Sequence, residues 1–263
     1  MADSSIKIGV AGALGRMGRE VAAHTAARPG LVLTALFDRP GTEGQIVAGV
    51  ALSDQASAIA TCDVIVDFTI GSASAELARI CAAHRGPSLV IGSTAFSEAD
   101  QTAVAAAAQR IAIVKSGNFS LGVNVMLALV AQAARALNAQ DYDIEVFEAH
   151  HRRKVDAPSG TALMLGAAAA KGRGGDLKSL QVRARDGITG PREAGAIGFS
   201  VARGGGIVGE HQVMFAGEEE ILTLSHSARD RSIFARGAVA AAAWIAGRTP
   251  GLYDMQDVLG MKG

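Results

Sequence analysis

The chain has 263 residues, enough for one large or two modest domains, and hydrophobic residues make up 49% of it. Lys plus Arg and Asp plus Glu balance at 25 each, so the net charge of zero argues against a nucleic-acid-binding or membrane-surface protein. Only two cysteines occur, Cys62 and Cys81, which excludes a disulfide framework and a cysteine-rich zinc site and predicts a cytoplasmic protein.

The first predicted elements are a strand, a glycine-rich turn and a helix. No signal peptide is expected before the strand Ile6–Ala11, and no apolar run reaches the roughly 20 residues of a membrane span. The glycine turn, Gly12–Gly18, has the spacing G-x-x-G-x-x-G, and a helix follows from Met17 to Ala27. Glycines there let the backbone approach a pyrophosphate and aim helix N–H groups at it, and Arg16 adds positive charge. The pattern alone also fits a purely structural turn.

The second predicted strand supports a dinucleotide site. Leu31–Phe37 ends at Asp38, twenty residues after Gly18, where a dinucleotide-binding fold places the acid that binds the ribose hydroxyls. Arg39 follows directly. An acid repels the 2′-phosphate of NADPH and an arginine attracts it, so the pair predicts that either NADH or NADPH is accepted. Ordinary polar residues at a strand end are the alternative.

Strands and helices continue to alternate up to residue 120. Predicted strands at 64–66, 89–91 and 111–115 are separated by helices, which predicts an α/β fold with a Rossmann-like, doubly wound parallel sheet. Small polar residues follow these strands at Asp67–Thr69, Gly92–Thr94 and Ser116–Phe119. Each segment alone fits a polar loop, but their repetition predicts that all three face the cofactor crevice at the carboxyl ends of the strands.

The pattern changes after a long predicted helix at residues 122–137. Strand-like runs follow, with few helices between them, at 180–185, 196–202, 208–215 and 221–225. They predict a second domain of α+β type with a mostly antiparallel sheet. A final helix, Ile233–Ala246, is expected to return to the first domain. The predicted division is therefore 1–121 with 232–263 for the dinucleotide-binding domain, and 122–231 for a substrate-binding and oligomerisation domain.

The basic turn, His150–Thr161, carries the densest group of functional side chains. It contains two histidines, two arginines and Lys154, followed by Pro158 and Ser159. A strand at 144–149 precedes it, and a helix from Thr161 to Lys171 follows, with Ser159 as N-cap and Gly172 as the residue past its C-terminus. Positive side chains and free helix N–H groups together predict an anion site, although a solvated basic loop is the alternative.

Within the basic turn, His150 and Lys154 are the candidates for moving protons, because histidine titrates near neutrality and lysine donates while cationic. Gly160 and Thr161 offer N–H groups and a hydroxyl to a carboxylate, and His151 and Arg153 add cationic contacts. The predicted substrate is a small carboxylate or dicarboxylate. The remaining histidines, at 24, 84, 211 and 226, have no other candidate catalytic residues near them in the sequence, and no metal site is expected.

The sequence resembles the dihydrodipicolinate reductase (4-hydroxy-tetrahydrodipicolinate reductase) family of bacterial lysine and diaminopimelate biosynthesis over essentially its whole length. The most specific segment is Glu148–Ala162, which reads EAHHRRKVDAPSGTA. The glycine turn, Asn118–Asn124 and Gly251–Leu259 also resemble family segments. The resemblance implies an NAD(P)H-dependent reduction of 4-hydroxy-tetrahydrodipicolinate, with hydride transfer to C4 and loss of water. It also implies a homotetramer assembled through the sheets of the second domain.

The same resemblance implies residue roles. His150 is the expected proton donor and acceptor, Lys154 the proton donor, and His151, Gly160 and Thr161 the ligands of the substrate carboxylates. The residues expected to hold NADH or NADPH are Gly12, Ala13, Leu14, Gly15, Arg16, Met17, Asp38, Arg39, Gly92, Ser93, Thr94, Ser116, Gly117, Asn118 and Phe119.

The sequence departs from the family pattern at three positions. Ser93 and Ala95 stand where the family commonly has Thr and Gly, and Asp38 stands where Glu is often found. Ser93 keeps a hydroxyl, whereas Ala95 lacks the freedom of glycine to adopt positive φ, so a different loop shape is expected there. The shorter reach of Asp38 is expected to alter the preference between NADH and NADPH.

Two other functions compete with the reductase. One is a different two-domain oxidoreductase, such as a sugar or semialdehyde dehydrogenase, but the acylating kind of semialdehyde dehydrogenase needs a cysteine nucleophile and both cysteines lie inside the alternating elements of the first domain. The other is a nucleotide-sensing regulator that has lost catalysis, against which the intact His150 and Lys154 argue.

Overall fold

The computed structural model describes residues 5–262. In that range the strands, in chain order, are β1 Ile6–Ala11, β2 Leu31–Phe37, β3 Ile46–Val47, β4 Val50–Ala51, β5 Val64–Asp67, β6 Ser88–Ile91, β7 Ala112–Lys115, β8 Asp143–His150, β9 Gln181–Val182, β10 Ile197–Arg203, β11 Gly209–Ala216, β12 Ile221–Ala228 and β13 Gly251–Tyr253.

The helices of the same range alternate with strands in the first half of the chain. They are α1 Arg16–Ala26, α2 Gln55–Thr61, α3 Gly71–His84, α4 Glu98–Ala107, α5 Leu121–Ala136, α6 Gly160–Gly172, α7 Leu177–Leu180, α8 Ser232–Ile245 and α9 Met255–Val258. None of these helices combines the length and the apolar character that crossing a membrane requires.

The chain divides into two compact units. One contains the described residues up to Leu121 and from Ser232 onwards, and the other is Gly122–Arg231. The first unit is built on a six-stranded, entirely parallel sheet in the order β13-β7-β6-β5-β1-β2. This order confirms the predicted doubly wound α/β fold. The carboxyl ends of β1, β5, β6 and β7 consequently lie side by side at one edge of the sheet.

Helices cover both faces of this parallel sheet, so its central strands are buried. All four residues of β5 are buried, as expected for a strand with helices above and below it. One core cluster combines strand residues such as Val66 with α1 and α8, and a second combines Ile65 with α3 and α4. The approach of α8 is very close, because a Cβ on Gly237 would lie 1.7 Å from the carbonyl oxygen of Phe119.

The second unit has a five-stranded mixed sheet in the order β12-β11-β8-β10-β9. The long ladders of β11 with β8 and β12 are antiparallel, whereas β10 pairs in parallel with β8 and β9. Helices α5 and α6 pack on the face that carries Val146 and Phe215. The predicted α+β class is confirmed, and the parallel ladders of β10 are a feature that the sequence analysis did not anticipate.

Two local predictions in this unit are wrong. Gly172 does not follow α6 but is its last residue, and a Cβ there would lie 2.4 Å from the carbonyl oxygen of Ala131 on α5, so the glycine serves close helix packing rather than the end of the helix. The glycine with positive φ beyond the helix is Gly174. The strand expected at 180–185 is reduced to the two residues of β9, because the Asp176 side chain caps a helical turn, α7, directly before it.

Candidate active site

The glycine turn has a shape that only glycine permits at two positions. Gly12 has a φ of +73°, and a Cβ there would lie 3.3 Å from the carbonyl oxygen of Phe68. A Cβ on Gly18 would lie 2.1 Å from the carbonyl oxygen of Gly12. The turn and the start of α1 are therefore packed backbone against backbone.

The start of α1 is open to an anion. Its N-cap is Gly15, no side chain caps the free N–H groups, and the first turn holds no acidic residue. Arg16, the first residue of the helix, is exposed. Unpaired N–H groups, the positive end of the helix dipole and a guanidinium suit a pyrophosphate, so this part of the chain fits a dinucleotide.

Asp38 is tied to the glycine turn rather than free at the strand end. Its carboxylate accepts hydrogen bonds from the backbone N–H groups of Leu14, at 2.9 Å, and Arg39, at 2.8 Å. The Arg39 guanidinium is exposed and its Nε lies 3.7 Å from the same carboxylate. Asp38 thus holds the glycine turn in place and still has lone pairs that can accept further hydrogen bonds. Arg39 is the cation that a 2′-phosphate would meet.

The ends of β5, β6 and β7 form one contact group of aromatic rings and small residues. The Phe68 ring meets Phe119 edge to face, with centroids 5.8 Å apart, and it occupies the space where a side chain on Gly92 would lie. Phe119 is 2% exposed. Gly92 and Phe119 therefore shape the crevice wall from inside, whereas Thr94 and Gly117 are exposed at its edge.

One expectation for this edge is wrong: Asp67 does not face the crevice. Its side chain is fully buried, and Oδ1 accepts hydrogen bonds from the backbone N–H and the hydroxyl of Thr69. Burial raises the pKa of Asp67, with the hydrogen bonds from Ser74 and Thr69 opposing it. Ser93 is also buried, with its hydroxyl 2.6 Å from that of Ser74. Asp67 and Ser93 therefore stabilise the loops through buried hydrogen bonds.

At the end of β7, side chains again stabilise the loop backbone. The hydroxyl of Ser116 donates to the carbonyl of Asn118 at 2.7 Å, and the side-chain oxygen of Asn118 accepts from the N–H of Ser120. Most residues proposed for the cofactor thus define a backbone surface. The side chains of Arg16, Arg39 and Thr94 are the exposed ones among them.

The loop between β6 and α4 contains an alanine whose backbone adopts a positive φ. Ala95 has a φ of +60°. Ala95 thus adopts a left-handed conformation that is strained for any residue with a Cβ.

In the second unit, the first histidine of the basic turn is held by a buried carboxylate. Nδ1 of His150 lies 2.5 Å from Oε2 of Glu148, which is fully buried. Arg203 on β10 donates to both carboxylate oxygens of Glu148, each at 2.8 Å. Burial opposes ionisation of Glu148, but the hydrogen bonds from Arg203 and His150 outweigh it and hold its pKa below the usual value.

A second histidine joins this site, which corrects the expectation that His211 stands alone. Its ring meets that of His150 edge to face at 5.1 Å, and its Nε2 lies 3.2 Å from the Ser159 hydroxyl. Burial, together with the nearby His150, lowers the pKa of His211 to about 4, so the ring is neutral near pH 7. The antiparallel pairing of His211 with Glu148 brings it there.

Lys154 has a counterion within the basic turn. Its Nζ lies 2.9 Å from Oδ1 of Asp156, and the lysine side chain is 21% exposed. The hydrogen bond from Lys154 lowers the pKa of Asp156. The carbonyl of Asp156 in turn accepts a hydrogen bond from Arg203, which connects the lysine to the site of Glu148 and His150.

The positive charge expected at His151 is supplied by its neighbours. Burial, Arg153 and Arg231 lower the pKa of His151, so its neutral form is favoured. Its Nε2 lies 3.0 Å from the guanidinium of Arg231, which is exposed. Arg231 follows the end of β12 and was not among the predicted site residues. The cations that a carboxylate would meet at this place are Arg231 and Arg153.

Helix α6 starts directly beside these groups. The Ser159 side chain accepts a hydrogen bond from the N–H of Ala162, which confirms the predicted N-cap. Gly160 is exposed, and a Cβ built on it would meet nothing within 4 Å. The N–H end of α6, Lys154 and the arginines together can bind a carboxylate, and His150 can exchange a proton beside it.

Sequence reasoning missed Glu148, Arg203, His211 and Asp156 as parts of this site. One signal was available: Glu148 and His150 are two residues apart in a strand, which places both on one face. The contacts of Arg203 and His211 depend on strand pairing, whereas Asp156 lies only two residues from Lys154. No group of three or more His, Cys, Asp or Glu side chains in residues 5–262 is arranged to bind a metal ion.

A doubly wound sheet with an open glycine turn, joined to an α+β unit with a histidine and a lysine beside a helix start, defines a nicotinamide-dependent oxidoreductase. Two family profiles match the chain: "Dihydrodipicolinate reductase, N-terminus" over residues 6–119 and "Dihydrodipicolinate reductase, C-terminus" over residues 122–259. The chain belongs to the dihydrodipicolinate reductase family.

Individual relatives agree with this membership. The chain is 60% identical to the 4-hydroxy-tetrahydrodipicolinate reductase of Caulobacter vibrioides, with 98% of each chain covered. It is 52% identical to that of Rhizobium rhizogenes, covering 100% of this chain and 99% of the other. The fold is similar to that of a dipicolinate-bound dihydrodipicolinate reductase from Paenisporosarcina sp. TG-14, with a TM-score of 0.78, 23% identity, and 96% and 98% of the two chains covered.

Proposed function

We propose that the chain catalyses the NAD(P)H-dependent reduction of 4-hydroxy-tetrahydrodipicolinate to tetrahydrodipicolinate, a step of lysine and diaminopimelate biosynthesis. The observation that carries the proposal is that both units match one reductase family, and the basic turn that is specific to it is complete. We also propose a cytoplasmic location, because both cysteines are free thiols, which a reducing compartment preserves.

The residues of the first unit bind and orient the cofactor in this proposal. The open start of α1 and Arg16 hold the pyrophosphate, and Asp38 accepts hydrogen bonds from the ribose hydroxyls. The loops after β6 and β7 complete the backbone surface. The bound nicotinamide supplies the hydride. Both NADH and NADPH are accepted, because Asp38 is engaged by the turn and Arg39 is exposed beside it.

The residues of the second unit bind the dicarboxylate substrate and move protons. His151, Gly160 and Thr161 receive the carboxylates, with Arg231 and Arg153 supplying positive charge. Lys154 donates a proton from a cationic ammonium, and Asp156 keeps its Nζ in place. His150 exchanges a proton through Nε2, since Nδ1 is engaged by Glu148.

We further propose a homotetramer that forms through the sheet of the second unit. The face of this sheet opposite to Val146 and Phe215 carries Phe147 and Ile221, which are 40% and 61% exposed. Apolar side chains at such exposure favour burial against another copy. Sedimentation analysis of the wild-type chain and of Phe147→Glu tests this, with dissociation expected in the variant.

The function is tested by the oxidation of NADH and NADPH with substrate made in situ by a synthase. Rapid substrate-dependent oxidation is expected. The ratio of the two kcat/KM values measures whether the repulsion of the 2′-phosphate by Asp38 or its attraction by Arg39 is stronger. Lys154→Ala and His150→Gln are each expected to lower kcat roughly 100-fold or more, with the Kd for NADH near wild type.

Arg152→Ala is the matched control, because Arg152 is an exposed cation of the same turn and, within residues 5–262, only its backbone N–H forms a hydrogen bond, to the carbonyl of Gly205. Loss of NADH binding in the Lys154 or His150 variant would contradict the assignment of separate roles to the two units. Absence of turnover with NADH still bound would favour a nucleotide-sensing regulator.

A semialdehyde dehydrogenase of the acylating kind is not supported. Burial raises the pKa of the Cys81 thiol to about 12, and burial also raises that of Cys62. Neither thiol is poised to act as a nucleophile.

A further inference from the structure

We propose that Glu148 is a positioning residue of the reaction, which fixes the proton of His150 on Nδ1 and sets the start of helix α6 at the same time. The inference deepens the proposed function and rests on it, because it assigns a role relative to the proton exchange at His150.

The first step is that the Glu148 carboxylate is surrounded by donors. Oε2 accepts from Arg203 and lies against Nδ1 of His150, and Oε1 accepts from Arg203 and from the N–H of Ser159 at 2.9 Å. The side chain is fully buried. A buried carboxylate is maintained only when such donors satisfy it, and an arginine in a two-point pair keeps it ionised.

The second step is that an ionised Glu148 selects one tautomer of His150. Arginine can only donate and a carboxylate can only accept, so the atom of His150 that faces Oε2 must carry a hydrogen. That atom is Nδ1. The neutral ring then has its lone pair on Nε2, which becomes the atom that accepts and returns a proton. A carboxylate behind a histidine is known to act in this way in general acid–base catalysis.

The third step is that the surroundings leave room at Nε2. A Cβ on Gly209, the first residue of β11, would lie 3.1 Å from Nε2 of His150. A glycine at this position therefore keeps the proton-exchanging atom clear of a neighbouring side chain.

The fourth step concerns helix α6. The N–H of Ser159 donates to Glu148, while its hydroxyl caps the helix at Ala162 and lies against Nε2 of His211. Gly160 and Thr161, the residues proposed to receive a carboxylate, follow immediately. One carboxylate thus fixes both the orientation of the proton-exchanging ring and the place of the anion-binding helix start.

A purely structural ion pair is the competing explanation, because Glu148 and Arg203 also join the neighbouring strands β8 and β10. Glu145 provides a matched control for it. It lies on the same strand, and Arg185 donates to both its carboxylate oxygens, at 3.0 and 2.8 Å, but its hydrogen bonds involve no histidine. Glu145→Gln removes the same charge from an arginine-paired glutamate on the same strand.

The experiment combines kinetics with nitrogen-15 NMR of His150 in the full chain. The wild type is expected to show a hydrogen on Nδ1 of the neutral ring. Glu148→Gln presents an amide N–H₂ group either to the ring, where the preference for that tautomer is then lost, or to Ser159, where the hydrogen bond at the start of α6 is then lost. The kcat of Glu148→Gln is expected to fall roughly 100-fold and its KM to rise about threefold or more, whereas Glu145→Gln is expected to keep both within about twofold.

Two results would overturn the proposal. One is a wild-type His150 whose neutral ring carries its hydrogen on Nε2. The NMR spectrum of the wild type shows this without any variant or activity measurement. The other is a folded Glu148→Gln variant that keeps both kcat and KM near their wild-type values. Failure of the reductase function would appear instead as absent NADH and NADPH oxidation by the wild type, with the NMR result unaffected.

Discussion

The glycine turn and the basic turn both lead from a strand to the start of a helix, but they are held in different ways. In the glycine turn, backbone packs on backbone, and Gly18 leaves no space for a Cβ. In the basic turn, Gly160 has open space around it, and a network of charged side chains centred on Glu148 holds the chain. The first turn depends on missing side chains, and the second depends on side chains from distant strands.

The largest expected effect on stability comes from His211 in the network around the basic turn. Its pKa in the folded chain is about 4, against 6.5 when unperturbed. Above pH 6.5 the ring is neutral in both states. As the pH falls from 6.5 to 4, only the unfolded chain takes up the proton, so the free energy of unfolding should fall by about 3 kcal/mol.

Chemical unfolding of the wild type and of His211→Gln across this pH range checks the prediction. The variant is expected to lack that part of the decrease. Parallel pH profiles for the two proteins would mean that His211 is protonated in the folded state, and that the network tolerates a cation there.

The glycine turn is broken most directly at Gly18. Gly18→Ala places a Cβ against backbone atoms that cannot move independently, so it is expected to lower the free energy of unfolding by about 2 kcal/mol and to weaken NADH binding at least tenfold. Calorimetry and NADH titration measure both effects.

Gly160→Ala is the control for Gly18→Ala, since it adds the same methyl group to the first residue of a helix with open space around it. Stability is expected to stay within about 0.5 kcal/mol of wild type or to rise slightly. Equal losses in the two variants would contradict the difference drawn between the turns.

The smallest expected effect on stability concerns Ala95, which has a side chain at a backbone conformation that favours glycine. Ala95 adopts a φ of +60°, which costs a residue with a Cβ about 1–2 kcal/mol. Ala95→Gly removes this strain but gives the unfolded chain more freedom, so a net gain of about 0.5 kcal/mol in the free energy of unfolding is expected.

Ala105→Gly serves as the reference for Ala95→Gly, because Ala105 is exposed in the interior of α4. It is expected to lose about 1 kcal/mol. A loss at both positions would show that the left-handed conformation of Ala95 carries no strain.

The elements of the first unit were predictable because their signals are local. Buried strands such as β5 and the glycine turn are each determined by residues close in sequence. The same holds for Ser159 as the cap of α6. The short hairpin β3–β4 was not anticipated, because strands of two residues carry too little pattern to recognise.

The sequence by itself determined the fold class, the two turns and the candidates His150 and Lys154, since each rests on residue type and short spacing. Only the tertiary structure decided which side chains surround them. Arg203 reaches Glu148 through the parallel pairing of β10 with β8, and His211 reaches His150 through the antiparallel pairing of β11. Strand pairing joins residues more than 50 positions apart, and no local pattern encodes which strands become neighbours. For the same reason Asp67, at the end of a buried strand, braces the loops beneath the crevice instead of facing it.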